Sequence, residues 1–307
     1  MTQRHTPAVG VVALLACAWS FAPSHAPSVE PDVAPASPHR HHRHHGDRRR
    51  GERHRHHHHR REHAPPSAPV AEPEAPPQER TDGCPEGMLR VEGAFCPDVR
   101  QRCEEMSDDG RERCLRFRKP SVCRSREREP MRFCIDRYEW PGREGATPAV
   151  LVSWNDAVRM CREAGRRLCT EDEWTLACEG PQMLPYPWGY TRDETVCNID
   201  HHNLAYDRDA VTGNDREAAD AEVDRVSQAR PSGAYARCVS PYGVRDMTGN
   251  VDEWAVSRTG TPFQSALKGG YWGRIRARCR PATRRHDESF RYYQIGFRCC
   301  AEVASGR

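Results

Sequence analysis

The sequence predicts an α+β fold that is irregular, loop-rich and disulfide-rich. Three observations lead there. Two short stretches carry helical apolar spacing behind a capping residue, and strand-like alternation is confined to brief runs. The chain of 307 residues is also punctuated by 15 cysteines, 25 prolines and 22 glycines. Cys17 lies in an N-terminal apolar segment, which leaves an even number of cysteines for pairing, and in an exported chain that suggests a disulfide framework. Zinc sites are the cytosolic alternative, but no C-x2-C pair is matched by a second one.

Residues 1–17 read as an export signal. A short polar start with Arg4 precedes the apolar run Ala8–Ala16, which is too short to span a bilayer. Leu14-Leu15-Ala16-Cys17 has the form of a bacterial lipobox, with Cys17 as the lipidation site and a membrane anchor as the result. Ala22 and Ala26 are each followed by proline, which obstructs cleavage there. A plain secretory peptide is the competing reading. Either way the protein is expected outside the cytoplasm, periplasmic or at the cell surface.

Residues 18–81 are expected to be a linker. Its Pro-rich ends flank a His/Arg-rich block, His39–His63, with eleven His and nine Arg. Such composition cannot offset chain entropy by burial. It can serve as a spacer, as a contact for polyanions, or as a metal-binding tract; the arginines repel cations and weigh against the last. The net charge of +3 comes from this end: Met1–Arg80 holds 11 Lys+Arg against 8 Asp+Glu, leaving 36 against 36 beyond it. A neutral remainder offers no basic field for nucleic acid, which is excluded as a partner.

Residues 82–130 form a Cys-rich approach with Cys84, Cys96, Cys103, Cys114 and Cys123; Cys134 follows just beyond it. Apolar residues are sparse here, so covalent staples are expected to do what packing cannot. The region reads as a small subdomain or as an N-terminal elaboration, and its pairing stays open. Phe133–Glu139 alternates apolar and polar and is expected to be the first strand of a domain over residues 131–303.

Two helices follow. Ser153 with Asp156 makes an acidic capping box, trailed by Ala157, Val158, Cys161 and Ala164 at helical spacing and stopped by Gly165. Thr170 with Glu173 makes a second box, opening a helix through Trp174, Ala177 and Cys178. Beyond it regular structure is scarce, and the polar stretch 200–229 is expected to be a surface insertion.

Spaced blocks run through this region: Val152-Ser153-Trp154-Asn155-Asp156-Ala157, Arg167-Leu168-Cys169-Thr170-Glu171-Asp172-Glu173-Trp174, Pro187-Trp188-Gly189, Asp246-Met247-Thr248-Gly249-Asn250-Val251-Asp252-Glu253-Trp254, Gly269-Gly270-Tyr271-Trp272 and Gly296-Phe297-Arg298-Cys299. In this order they resemble the formylglycine-generating enzyme (sulfatase-modifying factor) family, over a little more than half the chain. The resemblance implies an irregular, C-type-lectin-like fold with structural Ca2+. It places a calcium loop at Gly249, Asn250, Val251 and Glu253, where a tight turn could aim oxygens at a hard cation. A second calcium site would begin at Asn198-Ile199, with Asp207, Asp209 or Asp215 as its later carboxylate. It also implies bridges Cys178–Cys299 and Cys197–Cys279. Cys299 and Cys300, adjacent in a strand, would face opposite ways and take different partners.

Family enzymes oxidise a cysteine of sulfatases with Cu(I) held by two cysteines five residues apart, just beyond Gly-Gly; two thiolates suit that soft ion. Here Arg274 stands where the first would fall. Cys279 is the second when counted from Gly-Gly. Counted from Arg-Cys-x-x-x-x-Arg it is a structural cysteine after a short deletion. The pair is broken under either count. A related branch holds iron with three histidines, but only His201, His202 and His286 occur in the folded region. The expectation is therefore a non-catalytic domain that binds a peptide or glycan through Tyr271, Trp272, Arg274, Arg276 and Arg278, with Arg284 and Arg285 nearby, because aromatic faces and guanidinium forks suit such ligands. The alternative is a Cu-dependent formylglycine-generating oxidoreductase using Cys279 as its catalytic cysteine.

Overall fold

The computed structural model describes residues 83–111 and 113–304. The signal sequence, Cys17 and the linker lie outside the described residues.

The chain opens with strands β1 (Met88–Phe95), β2 (Val99–Arg100), β3 (Cys103–Met106), β4 (Cys114–Phe117), β5 (Val122–Cys123) and β6 (Glu129–Asp136). β1 pairs antiparallel with β6 along its whole length, from Met88 opposite Asp136 to Phe95 opposite Glu129. The Cys-rich approach is thus an elaboration of the main fold, contributing an edge strand to its sheet. The strand expected at Phe133–Glu139 starts earlier, at Glu129, and is preceded by β1. Between them β2 pairs with β5 and β3 with β4 as two small ribbons. Each is stapled, by Cys96–Cys123 and Cys103–Cys114 respectively, and Cys84–Cys134 ties the start of the region to β6.

Helix α1 (Trp154–Glu163) begins at Ser153 with both halves of the capping box made, and Gly165 follows its end at φ 70°. Strand β7 (Arg167–Leu168) leads to α2 (Glu171–Glu179), where Thr170 and Glu173 make the second box. The 200–229 stretch is more ordered than a surface loop. It holds α3 (Arg208–Thr212) and α4 (Arg216–Val226), N-capped by Asp207 and Asp215. Val211, Ala219, Val223 and Val226 bury against Trp272 and Tyr293. In the sequence that apolar spacing is masked by the charged residues that dominate the stretch.

Strands β8 (Asp252–Val256), β9 (Ser265–Lys268), β10 (Ala282–Thr283), β11 (Ile295–Phe297) and β12 (Cys299–Ala301) complete the fold. One sheet runs β1-β6-β12-β7 and the other β10-β9-β8-β11, with β11 parallel to β8. α2 packs Trp174, Leu176 and Ala177 on Val91, Phe133 and Ile135 of the first sheet. α1 packs Ala157 and Cys161 with Trp254, Leu267 and Phe297. No helix among the described residues is long and apolar enough to cross a membrane.

β12 links the two cores. Cys299 lies in the α1 cluster and bonds Cys161, while Cys300 lies in the α2 cluster and bonds Cys169. Their opposite facing follows from strand geometry, and it overturns the Cys178–Cys299 bridge: the Cys299 sulfur is on the α1 side, away from α2. Cys178 instead bonds Cys279, and Cys197 bonds Cys238, which overturns Cys197–Cys279 as well. Every cysteine among the described residues is in a bridge.

Candidate functional site

The segment after β9 decides the chemistry. Gly269 and Gly270 turn the chain at φ 84° and 79°. Nine residues later Cys279 reaches the end of α2 and bonds Cys178, with neither cysteine exposed. This selects the count in which Cys279 is structural and the intervening segment is short. It corrects Cys279 as a catalytic residue: its sulfur is neither a thiol nor accessible. Arg274 donates to the carbonyl of Asp200 and meets His202 at 2.7 Å. Cu(I) needs thiolates, and the donor set here, an arginine and a disulfide sulfur, does not fit it.

The side-chain oxygens of the expected calcium loop have protein partners. Gly249 and Asn250 turn with φ 82° and 57°. A side chain at 249 would bring a Cβ within 2.3 Å of the Asn198 carbonyl oxygen, so only glycine fits. The Asn250 side-chain oxygen accepts from Asn198 Nδ2 at 2.9 Å and from the Arg230 amide at 2.8 Å. Both oxygens of Glu253 are held by Arg298 at 2.7 Å, and Trp174 Nε1 adds a third bond at 2.7 Å. Glu253 is thus the partner of a buried guanidinium. Asn198 Oδ1 is a buried oxygen with no hydrogen-bond partner, but Ile199 is core packing and Asp207 and Asp215 are helix caps. Among the described residues no cluster of three or more His, Cys, Asp or Glu could hold a metal.

Glu139 and Asp246 share the interior with this pair. Glu139 accepts from Asn250 Nδ2 at 2.6 Å and from the Val251 amide at 3.1 Å. Burial raises its pKa well above the usual carboxylate range, with the Asp246 charge adding to the effect. Burial also lifts Asp246 to about 6, against the opposing hydrogen bond from the Gly233 amide.

The candidate binding site is a cavity of about 580 Å³ beside β8 and β9. Its walls include Tyr271, Phe290, Tyr292 and His286, over Asp252 and Arg276. Arg276 Nη2 donates to both Asp252 oxygens at 3.1 and 3.2 Å, and the Gly270 amide donates to the same carboxylate at 3.2 Å. His286 stacks on Phe290 with ring centroids 4.0 Å apart, and burial lowers its pKa. Tyr292 stacks on the other end of Phe290 and hydrogen-bonds Tyr206. Gln294 Oε1 and Arg276 Nη1 are buried atoms on lining residues that lack a hydrogen-bond partner.

Of the expected cleft residues, Tyr271 and Arg276 line this cavity. Trp272 does not: it is 1 % exposed and belongs to the core with α3 and α4, because in the turn after Gly270 its ring faces inward. Arg278 lines a different cavity, Arg284 pairs with Glu171, and Arg285 is exposed. Asp252, His286, Phe290, Tyr292 and Gln294 were missed. The signal available for them was the aromatic run at 290–293, which has no helical or strand period to mark it.

A disulfide-clamped α+β domain with an aromatic-walled cavity and a glycine-turned loop without free thiols is thus defined. Residues 124–303, more than half the chain, match the Sulfatase-modifying factor enzyme 1-like domain, and the chain belongs to that family. It is 31% identical over 163 residues to the inactive C-alpha-formylglycine-generating enzyme 2 of Bos taurus, covering 50% of each protein. It is 37% identical over 113 residues to the formylglycine-generating enzyme of Thermomonospora curvata, covering 36% of this chain and 33% of that one. The chain thus spans about half the length, or less, of these relatives. Among solved structures, CarF superposes with TM-score 0.46 at 15% identity, over 70% of this chain and 98% of that one.

Proposed function

We propose that this protein is a non-catalytic sulfatase-modifying-factor-like domain that binds a peptide or glycan in its aromatic cavity, outside the cytoplasm and on a lipid anchor at Cys17. The observation that carries the reading is the Cys178–Cys279 bridge, which consumes the first cysteine beyond Gly269-Gly270. A relative of similar sequence is named as an inactive formylglycine-generating enzyme. Seven bridges suit an oxidising compartment.

The cavity has what a neutral, ring-shaped or extended polar ligand needs. Phe290, Tyr292 and Tyr271 offer flat apolar faces, while Arg276 and Gln294 offer an unused donor and acceptor. The test has two arms. Incubated with Cu(I), oxygen and a Cys-x-Pro-x-Arg peptide, the protein should form no aldehyde by mass spectrometry; aldehyde formation sinks the reading. Screened against peptide and glycan arrays, it should retain a ligand class whose binding is lost in Tyr292→Ala, and retention unchanged by that substitution counts against the cavity.

A further inference from the structure

We propose that a second cavity, between the β3–β4 ribbon and the loop before Cys279, binds a tetrahedral oxyanion: the sulfate or phosphate group of a monoester. This cavity has a volume of about 220 Å³ and is lined by Arg113, Arg192, Arg276 and Arg278 together with Tyr186 and Gln101, and no carboxylate lines it. A water takes roughly 30 Å³ in the liquid, so the space holds an oxyanion and part of the group that carries it.

The arginines are incompletely compensated. Asp200 is shared: it pairs with Arg113 and takes two bonds from Arg192 at 2.6 and 2.8 Å. Asp109 adds a second partner to Arg113 at 2.5 Å, and Asp252 holds Arg276. Arg278 has no ion pair among the described residues; its guanidinium lies over the Phe117 ring at 5.2 Å. Burial lowers its pKa, as expected for a cation taken from water without a counter-charge. Arg113 Nε and Arg276 Nη1 are buried with no hydrogen-bond partner. The lining therefore holds four guanidiniums against three carboxylates placed outside it, with unused donors on separate segments.

Such an arrangement is costly when empty of anions and suited to one. Guanidinium forks match the oxygens of sulfate and phosphate in charge-assisted hydrogen bonds. A tetrahedral group has acceptors for donors arriving from several directions, whereas the acceptors of a carboxylate lie in one plane. The donors are also preorganised. Cys103–Cys114 pins the ribbon that carries Arg113, and Cys178–Cys279 pins the loop that carries Arg276 and Arg278. Arg192 is held by the carbonyls of Ala277 and Ile275 at 3.2 and 3.0 Å.

The site is separate from the aromatic cavity, although Arg276 borders both. The test is calorimetric titration of the purified chain with p-nitrophenyl sulfate and, in parallel, p-nitrophenyl phosphate at constant ionic strength. Saturable binding of at least one ester is expected, weakened about tenfold or more in Arg278→Gln and less in Arg278→Lys, and unchanged in the exposed control Arg285→Gln. Arg278→Gln should also raise the melting temperature in chloride, since it removes an uncompensated charge. Preference for the sulfate ester points to sulfated glycans as the source, preference for the phosphate ester to phosphorylated ligands. Binding that survives Tyr292→Ala shows the site to be independent of the aromatic cavity. No saturable binding of either ester, or equal binding by wild type and Arg278→Gln, overturns the proposal.

Discussion

Arg298 and Glu253 form a two-pronged ion pair sealed from solvent, with both hydrogen bonds at 2.7 Å and neither side chain exposed by more than 1 %. It joins the Gly-Phe-Arg-Cys turn to β8 and places one positive charge beside Glu139 and Asp246 as well. Removing one member leaves the other charge stranded, a loss of about 3–5 kcal/mol. Arg298→Met should be the worse change, because it strands a cluster of carboxylates, while Glu253→Gln leaves Arg298 with Glu139 and Asp246 beside it. Urea denaturation of the two variants should rank them in that order.

Asp246 should make the protein more stable on mild acidification. Its pKa is about 6 in the fold, up from an ordinary value of 3.8. The folded state therefore keeps a proton that the unfolded chain has already released. The contribution is full below about pH 4 and is lost as the pH rises toward 6. Asp246→Asn, which keeps an acceptor for the Gly233 amide, should be more stable than wild type at pH 7.5 by on the order of 2 kcal/mol, and the gap should close near pH 4. Melting curves across that range check this; a gap independent of pH contradicts it.

Lys268 behaves in the opposite sense. It is wholly buried over the Trp174 ring, with its ammonium donating to the Arg280 carbonyl at 3.0 Å. Burial brings its pKa from 10.5 down to about 7. Below pH 7 the fold bears the full cost of the charge, and stability rises between about pH 7 and pH 10 as the folded lysine is neutral and the unfolded one is not. Lys268→Met should stabilise the protein at pH 6 by about 2 kcal/mol, an advantage that shrinks by pH 10. Chemical denaturation at the two pH values decides it.

The bridge between Cys178 and Cys279 closes a loop with a sequence separation of 101. Chain-entropy arguments assign such a loop about 5 kcal/mol at most. The double substitution Cys178→Ser, Cys279→Ser should lower stability by roughly that amount while leaving the other bridges intact in a mass-spectrometric map. A native map that pairs Cys279 with any other cysteine contradicts the wiring described above.

Local chemistry was readable from the sequence and long-range chemistry was not. The capping boxes at Ser153 and Thr170 specified both main helices because their partners sit three residues away. The opposite facing of Cys299 and Cys300 followed from the pleat alone. Which sulfur each would meet did not, since Cys161 and Cys169 lie over a hundred residues upstream and reach β12 only through packing of α1 and β7. Counting could not choose between two roles for Cys279; the position of the α2 end did. The cavity at His286, Phe290 and Tyr292 stayed hidden because its residues sit on irregular backbone. The side-chain oxygens of Glu253 and Asn250 pair with Arg298, Asn198 and a backbone amide, contacts that motif spacing does not register.

The wiring of β12 also sets a schedule for synthesis. Two crosslinks with separations of 138 and 131 end on consecutive residues of that strand, and the strand itself sits between β6 and β7. Until residues 299 and 300 have been synthesised, Cys161 of α1 and Cys169 before α2 have no native partner to meet. Any earlier pairing of these upstream thiols would have to be undone by thiol–disulfide exchange before the native set could close. Closure of both crosslinks therefore waits on residues 299 and 300, however early Cys161 and Cys169 are made.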